Sequence, residues 1–441
     1  VASIEEGYKI IPKKEEGMMQ KKRVCLWYLC LFLFCLTVVV ENAAYATNGY
    51  FTNGTSIESK ALGGAGVALP QGALDAAINP ALMAFVGNRL DLSLSFFNPE
   101  RKYTVEGNPS GFPGALGLAP GTFKSSMRWF LIPSAGVNWK LSDSDSVGIS
   151  MFANGGMNTS YHTSTFYGSA PTGVDLMQLF ISPTYARKIA PNHAIGISPI
   201  LAYQRFEAIG LQAFSPFSVD PVDLTNKGHS NSYGIGGRIG YMGEIFPFLN
   251  IGAEYKTKII MSRFGRYEGL FAENGSFDIP PSWTVGITIK PIEDLAILAD
   301  VEEIYYNTVK SINNPLLPNL QKSKLGTGNG AGFGWDDITV VKLGVQWKSS
   351  KEWTWRAGYS IGDQPIPRSE VLFNILAPGV IKEHLTFGAT RSFGNSELKL
   401  AVMRAFNHSV EGPNALEAPG QQKIRLTMGQ WEVSVGYGWK F

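Results

Sequence analysis

Beyond residue 46 the sequence has no cysteine; Cys25, Cys30 and Cys35 all lie in the first segment. The remainder therefore has no disulfide framework and no thiol nucleophile. Charge is sparse as well: 17% of residues are charged, against roughly 25% in an ordinary soluble domain. The 38 Lys+Arg against 36 Asp+Glu leave a net charge of only +2, which excludes an electrostatic nucleic-acid binder. After residue 46 no apolar run is long enough to cross a bilayer as a helix, so a polytopic helical membrane protein is excluded too. Histidine is scarce, and His162, His193, His229, His384 and His408 lack close metal-ligand spacing. No G-x-S-x-G elbow or Walker A loop occurs. Residues 326–331 carry alternate glycines, but within a long connection and without a βαβ unit. Neither a metal nor a cofactor is expected, and no enzymatic activity.

What the sequence has is glycine and aromatics: 49 Gly, 26 Phe, 17 Tyr and 10 Trp. It also has an export segment. Lys21, Lys22 and Arg23 precede an uncharged apolar run over residues 24–40, followed by Ala44-Tyr45-Ala46. This order predicts a secretory signal peptide cleaved after Ala46, with residues 1–17 as an upstream extension. The competing reading, an N-terminal anchor, needs a longer span. A lipoprotein signal would need small residues where Leu33 and Phe34 precede Cys35.

After residue 88 the chain alternates every second residue. Trp431, Val433, Val435, Tyr437, Trp439 and Phe441 are apolar, and the residues between them are polar or small. This run is long for a soluble strand and suits a tilted membrane-crossing one. Leu90, Leu92, Leu94 and Phe96 repeat the pattern, as do Trp353, Trp355, Ala357, Tyr359 and Ile361. Fourteen such strands are predicted, starting near Arg89, Lys124, Ser146, Val174, His193, Asn231, Asn250, Ser276, Asp294, Trp335, Glu352, Ile381, Glu397 and Gln422. Short turns alternate strictly with long Gly/Pro/Asn-rich connections, so all long loops fall on one side of an antiparallel sheet. A bilayer leaves no water for open sheet edges, so the sheet must close. The expectation is an all-β transmembrane antiparallel barrel over residues 89–441, with short periplasmic turns and long external loops. Trp353, Trp355, Trp431, Trp439 and Phe441 are expected at the periplasmic rim.

Residues 47–88 do not alternate. They are rich in Ala, Gly and Leu, with short helical stretches broken at Gly72 and Pro80. A segment so small-sided and so poor in charge can pack inside the barrel as a hatch; the bland alternative is a periplasmic tail.

Several passages resemble the outer-membrane long-chain fatty-acid and aromatic-hydrocarbon transporter family (FadL/toluene-transporter, OMPP1-like). They are the small-residue segment ending in Asn79-Pro80-Ala81, then Ile279-Pro280-Pro281-Ser282-Trp283-Thr284-Val285-Gly286. Residues 352–367 with Trp353, Trp355 and Gly362-Asp363-Gln364-Pro365 follow, and last the stretch from His408-Ser409-Val410 through Gly412-Pro413 to the terminal strand. The resemblance implies a fourteen-stranded barrel plugged by an N-terminal hatch, here containing Gly63, Gly64, Gly66, Asn79, Pro80 and Ala81. It implies passive uptake of hydrophobic small molecules, with an internal pocket touched by Gly49, Tyr50 and Phe51. It also implies a sideways exit at a kink in the third strand, matching Asn154, Gly155 and Gly156. Two glycines inside a strand weaken its pairing and mark a bulge or a close approach; a merely thinned wall is the alternative. Phe112, Phe123, Phe166, Tyr167, Phe214 and Phe217 in the loops are candidates for ligand contact or for simple loop packing. Basic residues that pair with a carboxylate in the family fall near Gly210 and Ala331, which leans the expectation toward neutral ligands. A small register shift would bring in Arg205, Lys322 or Lys324. The remaining expected partners are outer-membrane lipid and, through Phe441, the barrel-assembly machinery, with the protein a monomer. A general porin, which needs no apolar hatch, a structural or adhesive barrel and an outer-membrane phospholipase are the competing functions.

Overall fold

The computed structural model of the protein describes residues 48–441; the expected export segment, its cysteines and Thr47 lie outside the described residues. Fourteen long strands form one antiparallel sheet that closes on itself. They are β1 (Arg89–Glu106), β2 (Phe130–Lys140), β3 (Asp145–Tyr161), β4 (Thr172–Ala190), β5 (His193–Ile209), β6 (Ser230–Phe246) and β7 (Leu249–Lys256). The second half comprises β8 (Ser282–Ile292), β9 (Leu295–Ile304), β10 (Ile338–Lys348), β11 (Trp353–Gly362), β12 (Glu383–Phe393), β13 (Ser396–Pro413) and β14 (Lys423–Lys440). Closure runs from Arg89 opposite Lys440 to Glu106 opposite Lys423. Closure matters because it leaves no unpaired edge in a medium without water.

The alternation in sequence becomes an inside and an outside. Leu398, Leu400, Val433, Val435, Ile297, Leu343, Val345, Leu385 and Phe387 point outward and are exposed. Between them Lys399, Ser434, Lys342, His384 and Thr386 point inward and are buried. A continuous apolar band of this extent is untenable in water and is what a lipid-facing barrel wall requires.

Three elements depart from the sequence expectation. The second barrel strand begins at Phe130 rather than near Lys124, and Gly121–Lys124 is a separate short strand extending only β1. Residues 125–129 instead cross beside β1, where the Ser125 amide donates to the Arg101 carbonyl at 2.9 Å and Asn98 Nδ2 to the Arg128 carbonyl at 2.9 Å. The eighth strand starts at Ser282 rather than Ser276, because Pro280 and Pro281 supply no ladder N–H. Trp431 lies mid-strand opposite Asn98, away from the short-turn rim where Trp439 and Phe441 end the chain.

Residues 48–88 fill the barrel interior toward the short-turn end. Their helix Ile57–Ala61 is capped by Ser56, whose Oγ accepts the Ser59 amide at 3.2 Å. Small wall residues make the fit: a Cβ at Gly196 would strike the Pro80 carbonyl carbon, one at Gly252 the Val67 carbonyl and one at Gly358 the Leu62 backbone. Inward glycines of the strands are therefore where the hatch backbone touches the wall. Charge holds it as well. Lys60 pairs with Glu432 of β14, and Glu58 with Lys399 of β13. Lys399 also holds Asp91 at 2.6 Å, and Asp91 accepts Arg89 at 2.7 Å. All of these groups are buried.

Candidate functional site

The wall is not uniformly paired. β2 and β3 pair only from Ala135 opposite Met151 to Lys140 opposite Ser146. Beyond that point β2 continues to Phe130 on β1 alone, and β3 continues to Tyr161 on β4 alone. The chain ahead of β2 returns to β3 near the long loops, where the Ser126 amide donates to the Ser160 carbonyl at 2.8 Å. Within this opening β3 carries a bulge between Ala153 and Gly155.

A bare strand edge must find partners for its backbone groups. The N-terminal segment supplies them. The Thr52 amide donates to the Asn154 carbonyl at 3.0 Å, and the Gly156 amide to the Tyr50 carbonyl at 3.1 Å, with Phe51 directly opposite Gly155. A Cβ at Gly155 would run into the Tyr50 carbonyl, so glycine permits the approach. The structure thus brings Tyr50 and Phe51 together with Asn154, Gly155 and Gly156. Asn154 Nδ2 starts a lumenal polar ladder: it donates to Gln178 Oε1 at 2.8 Å, Gln178 Nε2 donates to Gln204 Oε1 at 3.1 Å, and Gln204 Nε2 donates to the Phe277 carbonyl at 2.8 Å. Beside the opening an apolar cluster joins lumen to wall through Met403, Phe97, Ala153, Met177, Phe130 and Ile132.

Tyr50 is anchored by aromatics that sequence reasoning did not single out. Its ring lies 5.4 Å from Tyr306 and 5.9 Å from Trp335. Tyr306 Oη donates to the Asn48 carbonyl at 2.6 Å and accepts the Tyr50 amide at 3.2 Å. Burial pushes both phenols well above their ordinary range, so they stay neutral.

Toward the long loops lies an apolar pocket. Phe206, Phe214, Phe271, Phe333 and Phe373 line it together with Leu211, Leu325 and Ala331, and Ser311 is its one polar side chain among the described residues. Phe206 and Phe271 approach to 4.6 Å, Phe214 and Phe373 to 5.1 Å. Phe166 packs behind Phe214 at 5.5 Å without lining the pocket. Phe123 stacks on Tyr103 at 4.9 Å. Phe112 and Phe217 lie at the surface, 68% and 44% exposed, as does Tyr167. Arg205 faces Asp175 at 3.7 Å rather than the pocket. Lys322 and Lys324 border an open cleft on the loop surface. Gly210 is not in the lining, whereas Ala331 is.

In the hatch, the Gly63 amide donates to Thr386 Oγ1 at 2.8 Å and the Gly66 amide to Asp300 Oδ2 at 2.7 Å. Gly64 lies against Asn53 and Lys342. Asn79 Nδ2 donates to the Val67 carbonyl at 2.8 Å and to the Tyr241 carbonyl at 2.9 Å, while its Oδ1 accepts the Ala81 amide at 3.0 Å. Pro80 sits against Gly196 and Gly240. Gly49 lies under the Tyr306 ring.

Between hatch, N-terminal segment and wall is a second cavity. Its lining is charged: Arg238, Glu254, Lys256, Glu302 and Lys342, beside Phe51, Thr52, Phe152 and Asn154. Arg238 Nε donates to Glu254 at 2.6 Å, and Lys342 pairs with Glu302 at 2.8 Å. No motif in the sequence marks this cluster. Its only signal is charge at alternate inward positions, as at Glu254 and Lys256.

The profile of the family described as "Outer membrane protein transport protein (OMPP1/FadL/TodX)" matches residues 33–422. The chain belongs to this family. Its place is the bacterial outer membrane and its role is transport. Solved structures share the fold. The Pseudomonas putida toluene transporter TodX is 20% identical with a TM-score of 0.63, covering 90% of this chain and 100% of its own. A Pseudomonas aeruginosa FadL homologue is 16% identical with a TM-score of 0.67, over 89% and 100%. The Ralstonia pickettii toluene transporter TbuX is 18% identical with a TM-score of 0.59, over 88% and 99%. No curated protein sequence matches this OMPP1/FadL/TodX member.

Proposed function

We propose that this outer-membrane protein takes up hydrophobic small molecules passively and releases them sideways through the wall between β2 and β3. The apolar loop pocket captures the ligand. Desolvation supplies the affinity, at roughly 25 cal/mol per Å² of apolar surface buried. The ligand then passes the Tyr50 aromatics and leaves along the Phe97, Phe130 and Ile132 side chains into the bilayer. Residues 48–52 act as the gate, and they must leave the β3 edge for the route to open.

The observation that carries this reading is the pairing of the N-terminal segment with the unpaired edge of β3. Such pairing costs little to exchange, because a few backbone hydrogen bonds are each worth only about 0.5–1.5 kcal/mol net. The relatives named for toluene point the same way, since toluene is an apolar solute. Nothing in the loop pocket offers a charge to a ligand held there.

The test is accumulation of a labelled hydrophobic substrate by cells producing the protein, compared with Gly156→Arg. A folded, heat-modifiable Gly156→Arg barrel with blocked uptake supports sideways release. Normal uptake by that variant contradicts it.

A further inference from the structure

On the outside of the wall, β1 and β14 change character toward the long loops. Their register runs unbroken from Arg89 opposite Lys440 to Glu106 opposite Lys423, so Phe96, Asn98, Glu100 and Lys102 share one outward face. Trp431, opposite Asn98, and nearby Trp129 are exposed. Such rings on a barrel wall mark the boundary between hydrocarbon and head groups. Lys102 lies beyond that boundary, roughly 13 Å farther along the strand, or about 9 Å in height at a tilt of about 45°. That is the level of lipid head groups.

A cleft lies there, lined by Arg101, Lys102, Lys124 and Arg128, with Glu100 as its one carboxylate among the described residues. Glu100 is taken by Arg128 at 2.5 Å. Lys102 and Lys124 stand directly opposite each other in the ladder, where like charges repel. Among the described residues neither has a carboxylate within ion-pair distance. Arg101 is 3% exposed, and its Nη2 is buried without a hydrogen-bond partner. A buried cationic donor left unpaired is costly. From the hydrocarbon side Arg404 stacks 4.9 Å from the Trp431 ring, and its Nη2 reaches Asn407 of the cleft at 3.5 Å. Three cations thus converge on one cleft without an anion.

We propose that this cleft, on the outer face of the wall, holds the phosphate of a phosphomonoester-bearing glycolipid of the outer leaflet. A phosphate monoester carries about −1.5 to −2 charges, closer to the three unpaired cations than the single charge of a phosphodiester. The Arg101 guanidinium offers a fork to phosphate oxygens, and the two lysines add point charges. The acyl chains run from the head group along Trp129, Trp431, Phe96 and Leu131, all exposed on the wall. The site is separate from the ligand route, so its failure leaves the uptake reading standing.

The experiment titrates diphosphorylated lipid A onto the purified full chain in non-ionic detergent. Dephosphorylated lipid A with the same chains and inorganic phosphate are the comparison ligands. Lys102→Gln with Lys124→Gln should lose roughly tenfold or more in lipid A affinity, equivalent to about 1.4 kcal/mol, with heat-modifiability reporting the fold. Lys348→Gln with Lys351→Gln removes the same charge at the exposed short-turn rim and should leave affinity unchanged. Equal losses in the two double variants, or none in the first, overturn the site. Equal binding of the dephosphorylated lipid overturns the role of phosphate. Inorganic phosphate binding as tightly as lipid A overturns the lipid as its source.

Discussion

The carbonyl of Tyr50 accepts the amide of Gly156 at 3.1 Å, and through this contact the N-terminal segment stands in for a missing length of β2. The substitution is possible because residue 155 is glycine and the Tyr50 backbone occupies the space of its absent side chain. Two chemically different needs are met at one point. The strand edge gains backbone partners, and Tyr50 and Phe51 join the aromatic cluster with Tyr306 and Trp335.

The buried charge network fixes the hatch. Lys399 serves Asp91 and Glu397 of the wall and Glu58 of the hatch. Lys399→Met leaves these carboxylates short of a cation, at a cost of about 3–5 kcal/mol for a broken buried pair. The cost falls on hatch docking, because Glu58 and Asp91 belong to different segments. Liposomes carrying the variant should swell in sugar solutions where wild type does not. A variant as tight as wild type would show that the network does not hold the plug.

The hatch should also loosen as pH rises. Asp75 accepts Ser56 Oγ at 2.9 Å and the Gln71 and Gly72 amides at 2.7 Å each. Burial, and then the charge of Glu58, push its carboxyl up to about 7, from about 3.9 in an unfolded chain. A raised folded value means that the docked hatch binds the proton more tightly. The stabilisation is full below about pH 4 and is lost as pH rises through about 7. Hatch amides, corrected for intrinsic exchange rates, should be better protected at pH 5 than at pH 8, and Asp75→Asn should flatten the difference. An unchanged pH dependence in Asp75→Asn would assign it to another group.

The barrel was legible in the sequence and the site only partly. A membrane strand must alternate over its whole length, so Leu90 to Phe96 and Trp431 to Phe441 read plainly. Short and long connections then ordered the two rims. The hatch was legible because residues 47–88 break the alternation while staying apolar. The start of β2 was not, because residues 124–129 also mix polar and apolar side chains and nothing local shows that they leave the sheet. Phe214 could be singled out as a loop aromatic, but Phe271, Phe333 and Phe373 come from three other connections and converge only in the fold. The charged cavity is equally non-local: Arg238 of β6 stands opposite Lys256 of β7 only through the register of the two strands, which no single strand encodes.

Ligand capture in the loop pocket depends on its rings. Phe271 lies 4.6 Å from Phe206 and 4.8 Å from Phe277. Phe271→Ala should weaken binding of an apolar ligand roughly tenfold, from an aromatic contact worth about 0.5–1.5 kcal/mol beyond its buried area. Phe112→Ala, at the surface, should leave affinity within about twofold, since rim contacts contribute little. Equal losses in the two variants, measured by titration, would place capture elsewhere in the loops.

On the proposed route, residues 48–52 must leave the β3 edge for uptake. Thr52 lies directly opposite Asn154, joined by one backbone hydrogen bond at 3.0 Å. Such cross-strand pairs sit at about 5.5 Å between Cα atoms, within disulfide reach. In the form starting at Thr47 no other cysteine is present, so in that form Thr52→Cys with Asn154→Cys gives a single defined crosslink. The deciding measurement is uptake of a labelled hydrophobic substrate by this double variant, oxidised and then reduced. Uptake abolished on oxidation and recovered on reduction is the predicted result; a fully crosslinked barrel that transports at the reduced rate would contradict the account.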